Sequence, residues 1–205
     1  MMRLESGIAT ELRDVGPAFN DPLLSSQAVF RAALEALSRP GRVQAVPSDA
    51  HPPAGAAPAA AGLMLALLDP DCTLWLAPRL AAGPTSAWLR FHTGCRIVQQ
   101  PDEARFAWTD ADQLPALHRF AQGSEFEPEA STTCLIQVDG LDSTCGWTLR
   151  GPGIRDRHRL AIEGLGASFI VQWQANHALF PRGIDVLLCA GETIAGLART
   201  TTIED

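Results

Sequence analysis

The chain has no lysine and no tyrosine, and all 16 of its cationic side chains are arginine. Without a lysine amine there is no aldimine with pyridoxal phosphate, no Schiff base with a carbonyl substrate and no G-K-[ST] lysine for a P-loop. Two large enzyme classes are excluded by their usual routes. An Ala-rich, Arg-for-Lys composition is also what a GC-rich coding sequence yields. Metal-ligand spacings are missing as well. Cys72, Cys95, Cys134, Cys145 and Cys189 include no C-x-x-C, and His51, His92, His118, His158 and His177 include no H-x-H or H-x-x-x-H. The thiols read as small buried hydrophobes rather than a disulfide, zinc or iron-sulfur framework, and no metal site is proposed. No apolar run reaches the roughly 18 residues of a membrane span, and Met1 to Pro17 lacks the apolar core of a signal peptide, so the chain reads as cytoplasmic. A formal charge of -7 argues against a nucleic-acid binder, whose affinity comes from clustered cations. The local exception is Arg155-Asp156-Arg157-His158-Arg159.

What is present is enough apolar material for one domain: 205 residues, 46% hydrophobic, within the usual domain length of about 100 to 200 residues. Residues 1–17 read as a flexible tail and 18–205 as a single domain beginning near Phe19. Phe30, Ala33, Leu34 and Leu37 recur at helical spacing over Ser25 to Ser38, with Ser25 or Ser26 as cap and Arg39-Pro40-Gly41 as stop. A short strand over Arg42 to Val46, a proline-rich loop from Pro47 to Pro58 and an all-apolar helix over Ala59 to Leu68 follow. Thr73 to Ala77 reads as a strand, Pro84 to Thr93 as a helix closed by Gly94, and Cys95 to Gln99 and Ala104 to Thr109 as strands. A helix is expected over Asp112 to Gln122, a strand over Thr133 to Val138 with a weaker partner at Trp147 to Arg150, and a last helix over Gly166 to Asn176. The alternation favours an α/β layered fold with a mixed sheet.

Near the C-terminus, apolar runs flank Gly191-Glu192 and read as a hairpin. Its first run is apolar on both faces except at Asp185, so a strand covered on both sides carries one carboxylate that needs a partner. Arg199 is the obvious candidate. A two-residue loop places it opposite Ile184 and on the other face, whereas a bulged loop shifts the register by one. Both registers stay open.

The punctuation residues resemble a known family. Phe30-Arg31 through Ser38-Arg39-Pro40-Gly41, Leu89-Arg90-Phe91-His92-Thr93, Pro128-Glu129, Gly151-Pro152-Gly153-Ile154, Phe180-Pro181-x-Gly183-Ile184-Asp185 and Arg199-Thr200-Thr201 are similar, in order, to the PhnH family of the bacterial carbon-phosphorus lyase system. Arg182 and Ala198 depart from it, standing where the family usually has Leu and Pro. The resemblance implies a three-layer α/β fold similar to the large domain of pyridoxal-phosphate transferases, used without that cofactor. It also implies a cytoplasmic homodimer working with the carbon-phosphorus lyase subunits G, I and J and the ATP-binding subunits of the system. The implied role is to couple an alkylphosphonate to the ribose triphosphate of ATP with loss of adenine, after which PhnJ cleaves the carbon-phosphorus bond. A pure scaffold and a self-sufficient transferase are the competing expectations.

Among individual residues, Arg39, Arg90 and Arg199 lie beside turns or element ends. A guanidinium there holds either a phosphate or phosphonate oxygen pair or, more commonly, the chain's own carboxylates and carbonyls. His92 is a candidate acid or base, with carbonyl bonding at a helix end as the plainer role. Asp185 is a candidate catalytic carboxylate or a structural acceptor. The Arg155 to Arg159 run suits a triphosphate, an acidic partner face or a solvated loop. No nucleophile-and-base pair stands out.

Overall fold

In the computed structural model, which describes residues 16–204, helix α1 (Pro22–Ser38) begins where an aspartate meets a proline. The Asp21 carboxylate accepts from Leu23 N at 3.1 Å and Leu24 N at 3.0 Å, and Pro22 fills the first turn, where a missing N–H costs nothing. The expected caps Ser25 and Ser26 therefore lie inside the helix, and Ser26 returns its hydroxyl to the Pro22 carbonyl. The buried face is also rotated from the expected one: Val29, Ala33 and Ala36 are buried, whereas Phe30 is 44% and Leu34 53% exposed. A close approach explains this. A Cβ on Gly196 would collide with the Ala36 carbonyl, so the helix rests on its small side chains and turns large ones outward. Nearly all of the expected tail, residues 1–17, lies outside the described residues.

The remaining helices are α2 (Pro58–Leu67), α3 (Pro78–Ala82), α4 (Thr85–Thr93) and α5 (Ala167–His177). The strands are β1 (Gln44–Ala45), β2 (Thr73–Leu76), β3 (Arg96–Ile97), β4 (Phe106–Asp110), β5 (Thr133–Gln137), β6 (Gly140–Arg150), β7 (His158–Glu163), β8 (Asp185–Ala190), β9 (Thr193–Leu197) and β10 (Thr202–Glu204). Seven of them form a mixed sheet in the order β1-β9-β8-β5-β4-β2-β3, with β9 running against both of its neighbours and the rest parallel. Parallel strands must be covered on both faces. Here Leu74, Trp108, Leu135 and Leu187 pack under α1, α2 and α4, while Cys134, Ile136, Val186 and Leu188 pack under α5 and a second sheet. The result is a three-layer α/β architecture. Among the described residues no helix is long and apolar enough to cross a membrane.

Two expectations fail for local reasons. The helix expected over Asp112 to Gln122 is replaced by short 3-10 turns at Ala111–Gln113 and Leu117–Arg119, because Pro115 removes an N–H and forces Leu114 into extended backbone. Trp147 to Arg150 does not pair with β5. It ends the eleven-residue β6, which joins β7 and β10 in a separate sheet of order β10-β6-β7. A register shift between Asp142 and Trp147 leaves Ser143 to Gly146 outside the ladder. This polar bulge hides the alternation by which a strand is read.

Candidate functional site

The hairpin answers the question left open by Asp185. Val186 pairs with Leu197 and Ala190 with Thr193, the register of a two-residue loop. In that register Arg199 would face away from Asp185. The chain instead leaves the ladder after Leu197 and turns, with Thr201 N bonded to Ala198 O at 2.8 Å. The turn brings Arg199 back. Its backbone N–H reaches Asp185 Oδ1 at 2.7 Å, Nε reaches both carboxylate oxygens at 3.2 Å, and Nη2 reaches Oδ2 at 2.6 Å. Nη2 also donates to Ser131 Oγ at 2.6 Å, and Nη1 to Pro128 O at 2.9 Å and Pro181 O at 3.1 Å. Every guanidinium donor is thus taken inside the chain, and none is left for an outside anion. His177 Nδ1 and Trp173 Nε1 fix the same turn through the carbonyls of Arg199 and Thr201, at 2.9 and 2.8 Å.

That turn abuts a second one. A Cβ on Gly151 would lie 2.7 Å from Thr200 O, and one on Gly153, at φ +83°, would overlap Ser38 O. Only glycine permits both approaches. Gly151-Pro152-Gly153 is therefore wedged between the Arg199 turn and the end of α1. Beside it opens a cavity of about 460 Å³ lined by Arg39, Arg42, Arg155, His158 and Arg159. Its arginines come from three segments: the turn after α1, the loop before β7, and β7 itself. Glu35 is shared between Arg39 at 3.0 Å and Arg42 at 3.5 Å, and Arg159 touches the Gly146 carbonyl at 3.3 Å. Arg155 has no ion pair among the described residues. Asp142, next to the lining Ser143, is held below the usual carboxylate range by the Thr144 hydroxyl and amide, to which its Oδ1 is bonded. The run expected as a charged stretch is thus half strand: His158 and Arg159 open β7, and His158 Nδ1 donates to Pro40 O at 2.8 Å.

The other candidates lie elsewhere. Arg90 and Arg96 line a cavity of about 660 Å³ beside α4 and β3. His92 meets the Gly16 carbonyl through Nε2 at 2.9 Å and sits edge-on to Trp88 and Phe91. The structure brings Arg39 together with the Arg155 to Arg159 run and Asp185 together with Arg199, and it leaves Arg90 and His92 apart from both.

A further crevice has no counterpart in the sequence reading. At the carboxyl ends of β4 and β5, Asp110 and Gln137 join Arg79 of α3: Arg79 Nε bonds Asp110 Oδ2 at 2.7 Å, and Gln137 Nε2 bonds Asp110 Oδ1 at 2.6 Å. The hydrogen bond to Asp110 pushes the Arg79 guanidinium further up. The crevice, of about 650 Å³, also carries Asp112 and Asp139. Strand ends of open α/β sheets commonly bind ligands, but this one is acidic and its arginine is neutralised, which does not suit an oxyanion. Polar residues directly after the apolar runs of β4 and β5 were the available signal.

Comparison with known proteins covers nearly the whole of the described chain. The family described as "Bacterial phosphonate metabolism protein (PhnH)" matches residues 17–204. A Rhizobium meliloti (strain 1021) protein named alpha-D-ribose 1-methylphosphonate 5-triphosphate synthase subunit PhnH is 38% identical over 188 residues, 91% of this chain and 94% of the relative. The putative C-P lyase subunit protein HtxG of Stutzerimonas stutzeri is 30% identical over 178 residues, 86% of this chain and 85% of the relative.

Proposed function

Because the chain belongs to the PhnH family of bacterial phosphonate metabolism proteins, we propose that it is a subunit of the complex that couples an alkylphosphonate to the ribose triphosphate of ATP. In that reaction a phosphonate oxygen bonds to ribose C1 as the bond from C1 to adenine N9 breaks, and adenine leaves with the electron pair and takes up a proton. The observation that carries this reading is the 38% identity to a named subunit of such a synthase, spread over nearly the whole of both chains.

The activity belongs to the assembled complex, with the carbon-phosphorus lyase subunits G, I and J and the ATP-binding subunits as partners in the cytoplasm. The candidate acid-base groups support this division of labour. Asp185 is held by Arg199 and His92 by a backbone carbonyl, so neither is paired with a nucleophile. Partner docking and the family's homodimer are supported by α1, whose outward face exposes Leu23 at 79% and Leu24 at 64% besides Phe30 and Leu34. No cofactor is assigned.

The test is complementation. In a strain lacking its own PhnH, this chain should restore growth on methylphosphonate as sole phosphorus source and copurify with the neighbouring subunits. The isolated chain, given ATP and methylphosphonate, should release no adenine. Release by the isolated chain would make it a self-sufficient transferase, and failure to restore growth with the complex assembled would remove the proposed step.

A further inference from the structure

We infer, resting on the reading of this chain as a subunit of a triphosphate-using complex, that the arginine cavity at the end of α1 binds the polyphosphate chain of a nucleoside or ribose triphosphate. Four guanidiniums, from Arg39, Arg42, Arg155 and Arg159, surround one cavity in a chain whose formal charge is -7. Glu35 is the carboxylate that pairs with two of them, and Asp142 is turned to its own neighbours. The excess positive charge is therefore local and built, since scattered surface arginines would not collect on one concave wall.

The size and stiffness of the wall decide among anions. A cavity of about 460 Å³ falls in the small-molecule range of roughly 300 to 1,000 Å³ and is larger than one phosphoryl group needs. Arginines arriving from three segments can each take an oxygen pair on successive phosphoryl groups. The segments are fixed before any ligand arrives. Gly153 is seated on the Ser38 carbonyl, a Cβ on Gly41 would overlap the Leu149 side chain, and His158 is bonded to Pro40 O. Pre-set donors lose little entropy on binding. An acidic protein face is the less favoured occupant, because a partner subunit needs apolar area as well, and that lies on the outward face of α1.

Calorimetric titration of the full chain with inorganic tripolyphosphate, and separately with ATP, at low salt tests the inference. One saturable site per chain is expected, weakened by added salt. The Arg155→Ala/Arg159→Ala double variant should bind more than about tenfold more weakly, at least the loss of one charge-assisted hydrogen bond. Arg105→Ala, an exposed arginine outside the cavity, should bind as wild type. No saturable binding, or equal binding by the double variant, overturns the inference. So does a double variant that binds tripolyphosphate normally but no longer copurifies with the other subunits, which would make the cavity a docking face. Wild-type chain that restores growth on methylphosphonate yet binds no tripolyphosphate sinks the cavity alone. Wild-type chain that binds it but restores no growth sinks the functional reading alone.

Discussion

Replacing Arg199 by alanine should destabilise the fold severely, and the structure gives the size of the effect. The substitution deletes every side-chain donor to Asp185, Ser131, Pro128 and Pro181, leaving Asp185 with the Arg199 backbone N–H at 2.7 Å. Removing one partner of a fully buried ion pair costs about 3 to 5 kcal/mol, because the other charge stays behind without compensation. Here the side chains of Arg199 and Asp185 remain 14% and 22% exposed. Water therefore offsets part of the loss, and about 2 to 4 kcal/mol is expected. That is a large share of the roughly 5 to 15 kcal/mol that holds a domain together. Urea denaturation should show the midpoint falling at unchanged slope, and less complex should assemble in cells. Arg199→Lys, which keeps the charge but not the planar fork, should recover only part of it. A loss below about 1 kcal/mol in Arg199→Ala would refute the reasoning, as would a stable variant that had lost tripolyphosphate binding, since Arg199 would then face a ligand.

His92→Ala in the intact complex should retain phosphonate utilisation within about tenfold, because a general acid or base contributes about a hundredfold or more. A greater loss with normal assembly would make His92 catalytic. The buried thiols Cys134 and Cys189 are pushed up by desolvation far above the ordinary value of 9.0. Their contribution to stability is whole below pH 9.0. Above it the unfolded chain sheds protons that the folded chain keeps, and stability falls by up to about 1.4 kcal/mol per thiol per pH unit. Cys134→Ala/Cys189→Ala should flatten the alkaline limb of urea midpoint against pH, and a wild-type limb already as flat would refute the assignment.

The fold was legible wherever one period dominated. The runs at Thr73 to Ala77 and Thr133 to Val138 and the apolar first arm of the hairpin read as strands, and they supply β2, β5 and β8, all interior strands of the seven-stranded sheet. Legibility failed where the determining contact was tertiary. Nothing near Phe30 and Leu34 announces that α1 must rest on Ala33 and Ala36; that follows from the bare backbone at Gly196, far downstream in the chain. The second sheet was missed because the Ser143 to Gly146 bulge interrupts β6 and because polar His158 and Arg159 open β7. Solvent-facing charges at the start of a strand carry no period to read.

The candidate site shows the same limit in sharper form. Arg39 and Arg199 are alike in sequence: each is an arginine at a turn that follows an apolar element. Their difference lies in what the turns touch. Around Arg199, the turn that follows β9 brings in Asp185, and Ser131 with the carbonyls of Pro128 and Pro181 completes an acceptor for every donor. Around Arg39, the nearest stretches supply more donors: Gly153 presses the Arg155 loop against the end of α1, and β7 adds Arg159. The same two glycines, Gly151 and Gly153, bridge the two turns, so the charge balance of one is coupled mechanically to the seating of the other. A substitution at either glycine should therefore disturb the saturated pair and the unsaturated cavity together, which no reading of the arginines one at a time would anticipate.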